Sequence, residues 1–158
     1  MVQHKFEEDN SAGKRGESLF REFLEKTGKT CKDVSDDPNY QRDDIDFIVE
    51  GRSGNDLSFE VKNDSKIAFT GNIFYESISN VDYGTVGCFE KTKADFIVIC
   101  SEPESKFYII RSDTLRNFVR SNRGSLRYIP RVEGSNSAGY LVPKQRVAEH
   151  LKVVDFIK

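Results

Sequence analysis

Residues 44–62, DIDFIVEGRSGNDLSFEVK, hold two runs that alternate with period two around a turn-forming centre, GRSGN at 51–55. This is the signature of a β-hairpin. If the two arms are symmetric about that loop, Glu50 faces Asp56 and paired residue numbers sum to 106. Asp46 then stands opposite Glu60, Asp44 opposite Lys62, and Ile48 opposite Ser58. The other face carries Ile45, Phe47 and Val49 against Leu57, Phe59 and Val61. One face is wholly apolar and the other mostly ionisable, so a one-residue slip would mix them, and burial selects the register.

Directly opposed side chains have Cβ atoms about 5 Å apart, where two carboxylates repel. Such a pair persists when a cation bridges it or when one member keeps its proton. Carboxylate oxygens with neighbouring carbonyls suit Mg²⁺ or Mn²⁺. Lys62, two residues after Glu60, shares its face and lies beside any ion held there. The plainer alternative is a charged, solvent-facing side of a two-stranded ribbon.

Outward from the hairpin, residues 11–28 read as a helix. Leu19, Phe20, Phe23 and Leu24 form its apolar stripe, and Gly28 stops it. Gly13 and Gly16 fall on that stripe, allowing close approach to a neighbour, while Glu17 sits at its margin. Residues 1–10 are expected as a flexible tail. Thr30 to Val34 is a short strand, and DDPNYQ at 36–41 a turn or loop. NIFYESI at 72–78 is a strand and CFEKTKA at 88–94 a short helix. DFIVIC at 95–100 is a continuous apolar run, as expected of a buried parallel strand. Lys106 to Ile110 forms the next strand. Ser112 caps a helix through Arg120, and residues 121–124 and 134–139 are loops. The order implies one α/β domain over residues 11–158, with a mixed central β-sheet flanked by helices.

The chain has 158 residues, 37% apolar and 32% charged, enough for one domain with its own core. No stretch approaches the roughly 18 apolar residues that span a bilayer, and MVQHKFEEDN lacks a secretory core. A cytoplasmic protein is the expectation. Three scattered cysteines (Cys31, Cys88, Cys100) exclude a disulfide framework or a zinc ribbon. Two histidines, His4 and His150, leave little for histidine chemistry, so any catalysis rests on carboxylates and lysines. The net charge of −2 hides an asymmetry. Residues 1–104 carry 13 Lys+Arg against 22 Asp+Glu, and residues 105–158 carry 11 against 4. A basic segment beside an acidic remainder points to a polyanion binder that holds cations elsewhere, or more simply to a solvated basic helix face.

Asp46, followed across the hairpin by Glu60-Val61-Lys62, resembles the motif of the PD-(D/E)XK nucleases. These are the restriction-endonuclease-like phosphodiesterases, which include small phage and archaeal Holliday junction resolvases. The resemblance covers residues 11–100 in the order helix, three-strand meander, crossover, buried strand. With 13 Glu and 13 Lys, Glu-x-Lys should arise roughly once by chance. It occurs at Glu60–Lys62 and at Glu104–Lys106; the second follows Pro103 in a turn with no strand Asp upstream and is set aside. Ile45, not proline, precedes Asp46. Asp43 and Asp44 compete for the acidic position, but Asp43 would face the core and Asp44 would pair with Lys62.

The resemblance implies a restriction-endonuclease-like core and a metal-dependent endonuclease acting on DNA, selective for branched structure or of restriction type. Asp46, Glu60, the Val61 carbonyl and Glu17 would hold Mg²⁺ (or Mn²⁺), and Lys62 would orient the attacking water. Asn63, Gln41, Lys91, Lys93, Arg116, Arg120, Arg123 and Arg127 are candidate DNA contacts. Glu76 would approach the site only if strand 72–78 pairs nearby; an exposed strand residue is the simpler reading. A homodimer would let one centre per chain cut two strands. A non-catalytic nucleic-acid-binding module is the competing reading.

Overall fold

A computed structural model describes residues 2–156. The chain begins with helix α1 (Val2–Lys26), which starts ahead of Ser11 and so takes in most of the segment expected as a tail; residue 1 lies outside the described residues. A meander follows: β1 (Cys31–Asp33), the single turn α2 (Pro38–Gln41), β2 (Phe47–Val49) and β3 (Leu57–Asn63). Next come the turn α3 (Ile67–Thr70), β4 (Asn72–Asn80), β5 (Thr85–Val86) and the turn α4 (Cys88–Lys91). They lead to β6 (Phe96–Ser101), β7 (Lys106–Arg111) and helix α5 (Ser112–Asn122). The last strands are β8 (Arg127–Ile129), β9 (Ala138–Pro143) and β10 (Lys152–Asp155), with 3₁₀ turns at Arg123–Ser125 and Lys144–His150.

Six strands form a mixed central sheet in the order β1-β2-β3-β6-β7-β10. Only β3 and β6 run parallel, Phe59 beside Phe96 through Asn63 beside Cys100. The hairpin register is the one that burial selects: Phe47 pairs with Phe59, Ile48 with Ser58 and Val49 with Leu57. The ladder opens near Asp46, whose N–H still donates to the Phe59 carbonyl at 2.8 Å. Strand β2 is shorter than the alternation implies because Asp44 turns the chain with φ of 50°, in the left-handed region.

Both faces of β6 are covered, which accounts for its unbroken apolar sequence. Val98 and Cys100 join Phe47, Phe59, Val61 and Phe107 beneath Phe20 and Leu24 of α1. Phe20 centres this layer, its ring 5.3–5.6 Å from those of Phe47, Phe59 and Phe107. Ile97 and Ile99 face the other way, into a core with Ile73 and Tyr75 of β4, Val142 of β9, and Leu115 and Val119 of α5. Gly16 lets α1 approach the end of β3, where an added Cβ would come within 3.0 Å of the Asn63 Cβ.

The second layer is itself a sheet, in the order β5-β4-β9-β8. The sequence pattern implies a strand at 72–78 but neither its separate sheet nor β8 and β9. Ser112 does not cap α5: Arg111 occupies the cap position without a side-chain bond, and the buried Ser112 hydroxyl has no partner. Residues 121–124 continue α5 and its 3₁₀ turn rather than forming an open loop. Among the described residues no helix is long and apolar enough to cross a membrane.

Candidate active site

Where β2 runs out beside β3, the apolar side chains of the hairpin face α1 and its ionisable ones face a cleft of about 660 Å³ between the two sheets. Glu60 is only 6% exposed. Asp46 lies close by, and its Oδ2 accepts the Val61 N–H at 2.8 Å. Burial pushes Glu60 up to about 10, with the Asp46 and Asp44 charges adding and Lys62 opposing. Asp46 is also raised by burial, against the Val61 N–H, Glu60 and Lys62. Burial and mutual charge thus both favour the protonated form at this pair, one of the two ways in which opposed carboxylates persist.

Lys62, on the same face of β3, is half-buried between Glu60, Glu76 and Cys88. Its ammonium is held above the usual lysine range by the Cys88 sulfur first, then by Glu60 and Glu76, against the cost of burial. Glu17 reaches the cleft from α1. Burial raises its carboxyl, the Asp46 charge adds, and Lys14 at 3.5 Å opposes. The structure thus brings Asp46, Glu60, Val61, Lys62 and Glu17 to one cleft.

Glu76 belongs to it as well. Ile73 and Tyr75 of β4 point into the core, so Asn72, Phe74 and Glu76 line the cleft. Glu76 Oε2 accepts the Cys88 N–H at 3.2 Å. Period-two alternation in NIFYE carries that signal, but nothing local shows that this face meets β3. Asp64, Lys66, Glu133, Ser135 and Ser137 add to the polar lining, the last three from the β8–β9 loop.

The ion pair between Asp44 and Lys62 does not form. Asp44 pairs with Lys91 at 3.5 Å and Asp43 with Lys93 at 3.5 Å. The left-handed bend at Asp44 swings both acids toward α4, where Thr92 Oγ1 donates to the Asp44 carbonyl at 2.8 Å. Lys91 and Lys93 are thereby engaged within the chain. Gln41 spends its amide on the Ser35 carbonyl at 2.9 Å. Asn63 donates to the Ala12 carbonyl at 2.7 Å and ties α1 to β3, while its buried Oδ1 has no partner among the described residues.

The basic candidates lie away from the cleft. Arg116 donates to the carbonyls of Phe89 and Thr92, at 3.2 and 2.9 Å from its Nη2, and Arg120 pairs with Glu90 at 2.9 Å. Both hold α5 against α4. Arg123 and Arg127 are exposed.

Among the described residues no group of three or more His, Cys, Asp and Glu side chains is arranged to enclose a metal ion. The donor chemistry at Asp46 and Glu60 nonetheless fits a hard divalent cation, since both offer carboxyl oxygens to the same cleft. Six acidic side chains (Glu17, Asp46, Glu60, Asp64, Glu76, Glu133) line the cleft against two lysines (Lys62, Lys66). No protein-family model matches the chain, and no curated protein matches it in sequence.

Proposed function

We propose that the protein is a Mg²⁺- or Mn²⁺-dependent endonuclease that hydrolyses DNA phosphodiester bonds, built on a restriction-endonuclease-like core. The observation that carries this reading is the placing of Asp46, buried Glu60 and Lys62 together in the lining of one cleft, with Glu60 and Lys62 on the same strand face. The order α1, antiparallel β1-β2-β3, then β6 parallel to β3 agrees with the layout that the motif resemblance implies.

Asp46 and Glu60, with the Val61 backbone and Glu17, are the groups that would hold the cation. Bound there, it supplies positive charge against the phosphodiester and acidifies a water. The chain's own residues do the rest. The Val61 N–H fixes one oxygen of Asp46, leaving the other to face Glu60. Lys62 stays protonated and donates to the attacking water and to charge building on the phosphoryl oxygens. With one such centre per chain, a double-strand cut requires two copies or two successive nicks.

The test is a cleavage assay on supercoiled plasmid, linear duplex, single strand and four-way junction, each with Mg²⁺, Mn²⁺ and EDTA. Metal-dependent cutting that disappears in Lys62→Ala supports the reading. Intact, salt-sensitive DNA binding without any cutting replaces it with a non-catalytic binding module.

A further inference from the structure

Phe69 stands 80% exposed on α3, beside two residues that line the cleft although it is not itself among the lining. Its neighbours Lys66 and Thr70, three residues before it and one after, line that cleft. At helical spacing Phe69 lies nearly opposite the inward-facing Ile67, which is 0% exposed, and Lys66 and Thr70 sit between the two.

The exposure is imposed by the backbone. Asp64 N–H donates to the Cys100 carbonyl at 2.9 Å, and Asp64 Oδ1 accepts the Lys66 N–H at 2.9 Å. Thr70 Oγ1 accepts from Asn72 N–H at 3.1 Å. Gly71 closes the turn at φ of 71°, and its carbonyl accepts the Lys144 N–H at 2.9 Å. Both ends of α3 are tied to the sheets, and Ile67 occupies the core position, so the Phe69 ring has no route inward. Single exposed apolar residues are common on protein surfaces. This one differs in being clamped between two residues that line a charged cleft, one turn from a lysine with no carboxylate in ion-pairing range among the described residues.

Resting on the nuclease reading, we propose that Phe69 is a stacking platform for an unpaired nucleotide of the DNA next to the bond to be cut, with Lys66 meeting that nucleotide's phosphate. A phenyl ring carries no hydrogen-bonding group and cannot read a base edge; it offers a flat face on which any base stacks. In an intact duplex both faces of each internal base are already covered. The substrate class this selects is DNA with unstacked bases near the scissile phosphate, without sequence preference.

The experiment measures binding by fluorescence anisotropy in a Lys62→Ala background with Mg²⁺. The probes are an oligo-dT strand, a plain duplex, and the same duplex with a central unpaired bubble. Phe69→Ala is expected to weaken strand and bubble binding between about fivefold and about a hundredfold, and duplex binding less than about twofold. Phe69→Trp should restore it. Tyr83→Ala is the control for general stickiness: Tyr83 is 85% exposed on the β4–β5 turn, away from the cleft lining.

Equal losses on all three probes, no loss on any, or the same loss from Tyr83→Ala overturn the stacking role. Cutting by otherwise wild-type protein is scored separately. If it cuts bubble and duplex DNA and Phe69→Ala leaves their ratio unchanged, stacking falls and the nuclease stands. If it cuts nothing while the bubble preference still depends on Phe69, the nuclease reading falls and the stacking site stands.

Discussion

Glu60-Val61-Lys62 and Glu104-Ser105-Lys106 share one spacing in the sequence and lead opposite lives in the fold. Glu104 sits in the β6–β7 turn, where its carboxylate accepts from Ser101 Oγ at 3.0 Å and from the Tyr108 hydroxyl at 2.8 Å. Burial works against its charge, but Tyr108, Ser101 and the nearby Lys144 and Lys106 hold it below the usual carboxylate range. Glu60 finds a second carboxylate instead of hydroxyl donors and keeps its proton up to about 10. A carboxylate satisfied by donors braces a turn, whereas one held against a like charge retains a capacity to exchange its proton for a cation. Burial and partners act together: Glu60 is deeply buried beside a second carboxyl, whereas the more open Glu104 is met by hydroxyl donors.

The largest effect expected from this contrast is on cutting. Lys62→Ala or Glu60→Gln should lower the cleavage rate by at least about 10²–10³, while Lys106→Ala stays within about twofold, as read by initial rates on plasmid. Comparable losses from both pairs would break the comparison.

Cation binding comes next. Mg²⁺ at about a hundred times its Kd should stabilise the wild type by roughly 2.7 kcal/mol. That gain should vanish in Glu60→Gln and persist in Glu104→Gln, as followed by thermal unfolding with and without EDTA.

The two glutamates also give pH dependences of opposite sign in metal-free protein. Between the ordinary glutamate value of 4.5 and about 10, folded Glu60 keeps a proton that the unfolded chain releases. Its contribution to stability therefore falls as pH rises through that window, by at most about 1.4 kcal/mol per pH unit. Glu60→Gln should flatten the alkaline side of the profile. Glu104 is held below its ordinary value, so its contribution is present above that value and is lost as pH falls through the folded one. Glu104→Gln should flatten only the acid side. Chemical unfolding at a series of pH values checks both, and a rising alkaline limb in the wild type contradicts the Glu60 account.

The smallest effect separates structure from chemistry. Glu104→Gln should cost about 1 kcal/mol of stability through its weakened hydroxyl contacts and leave cutting unchanged.

The same distinction runs through what was legible in the chain. The hairpin register, the close approach at Gly16 and the doubly buried β6 follow from alternation and side-chain size, which act between near neighbours. The basic segment was legible as charge but not as role. Arg120 pairs with Glu90, and Arg131 with Asp82 at 2.8 Å, so part of that charge neutralises the acidic portion of the same chain. Arg116 is used on carbonyls of α4 and its following turn. Composition does not show which charges meet each other and which remain for a ligand.

The sequence by itself determined that Asp46, Glu60 and Lys62 share a face, because a strand has period two and only one register buries Phe47, Phe59 and Val61. Tertiary structure alone decided that this face meets a second sheet. It placed Glu76, Lys66 and the β8–β9 loop around the carboxyl pair and left Phe69 exposed beside the cleft lining. The pairing of β4 with β9, as in Tyr75 against Tyr140, joins residues far apart in the chain. Such contacts form only because the assembled core excludes water from Ile73, Tyr75 and Val142 together, and no local pattern encodes that.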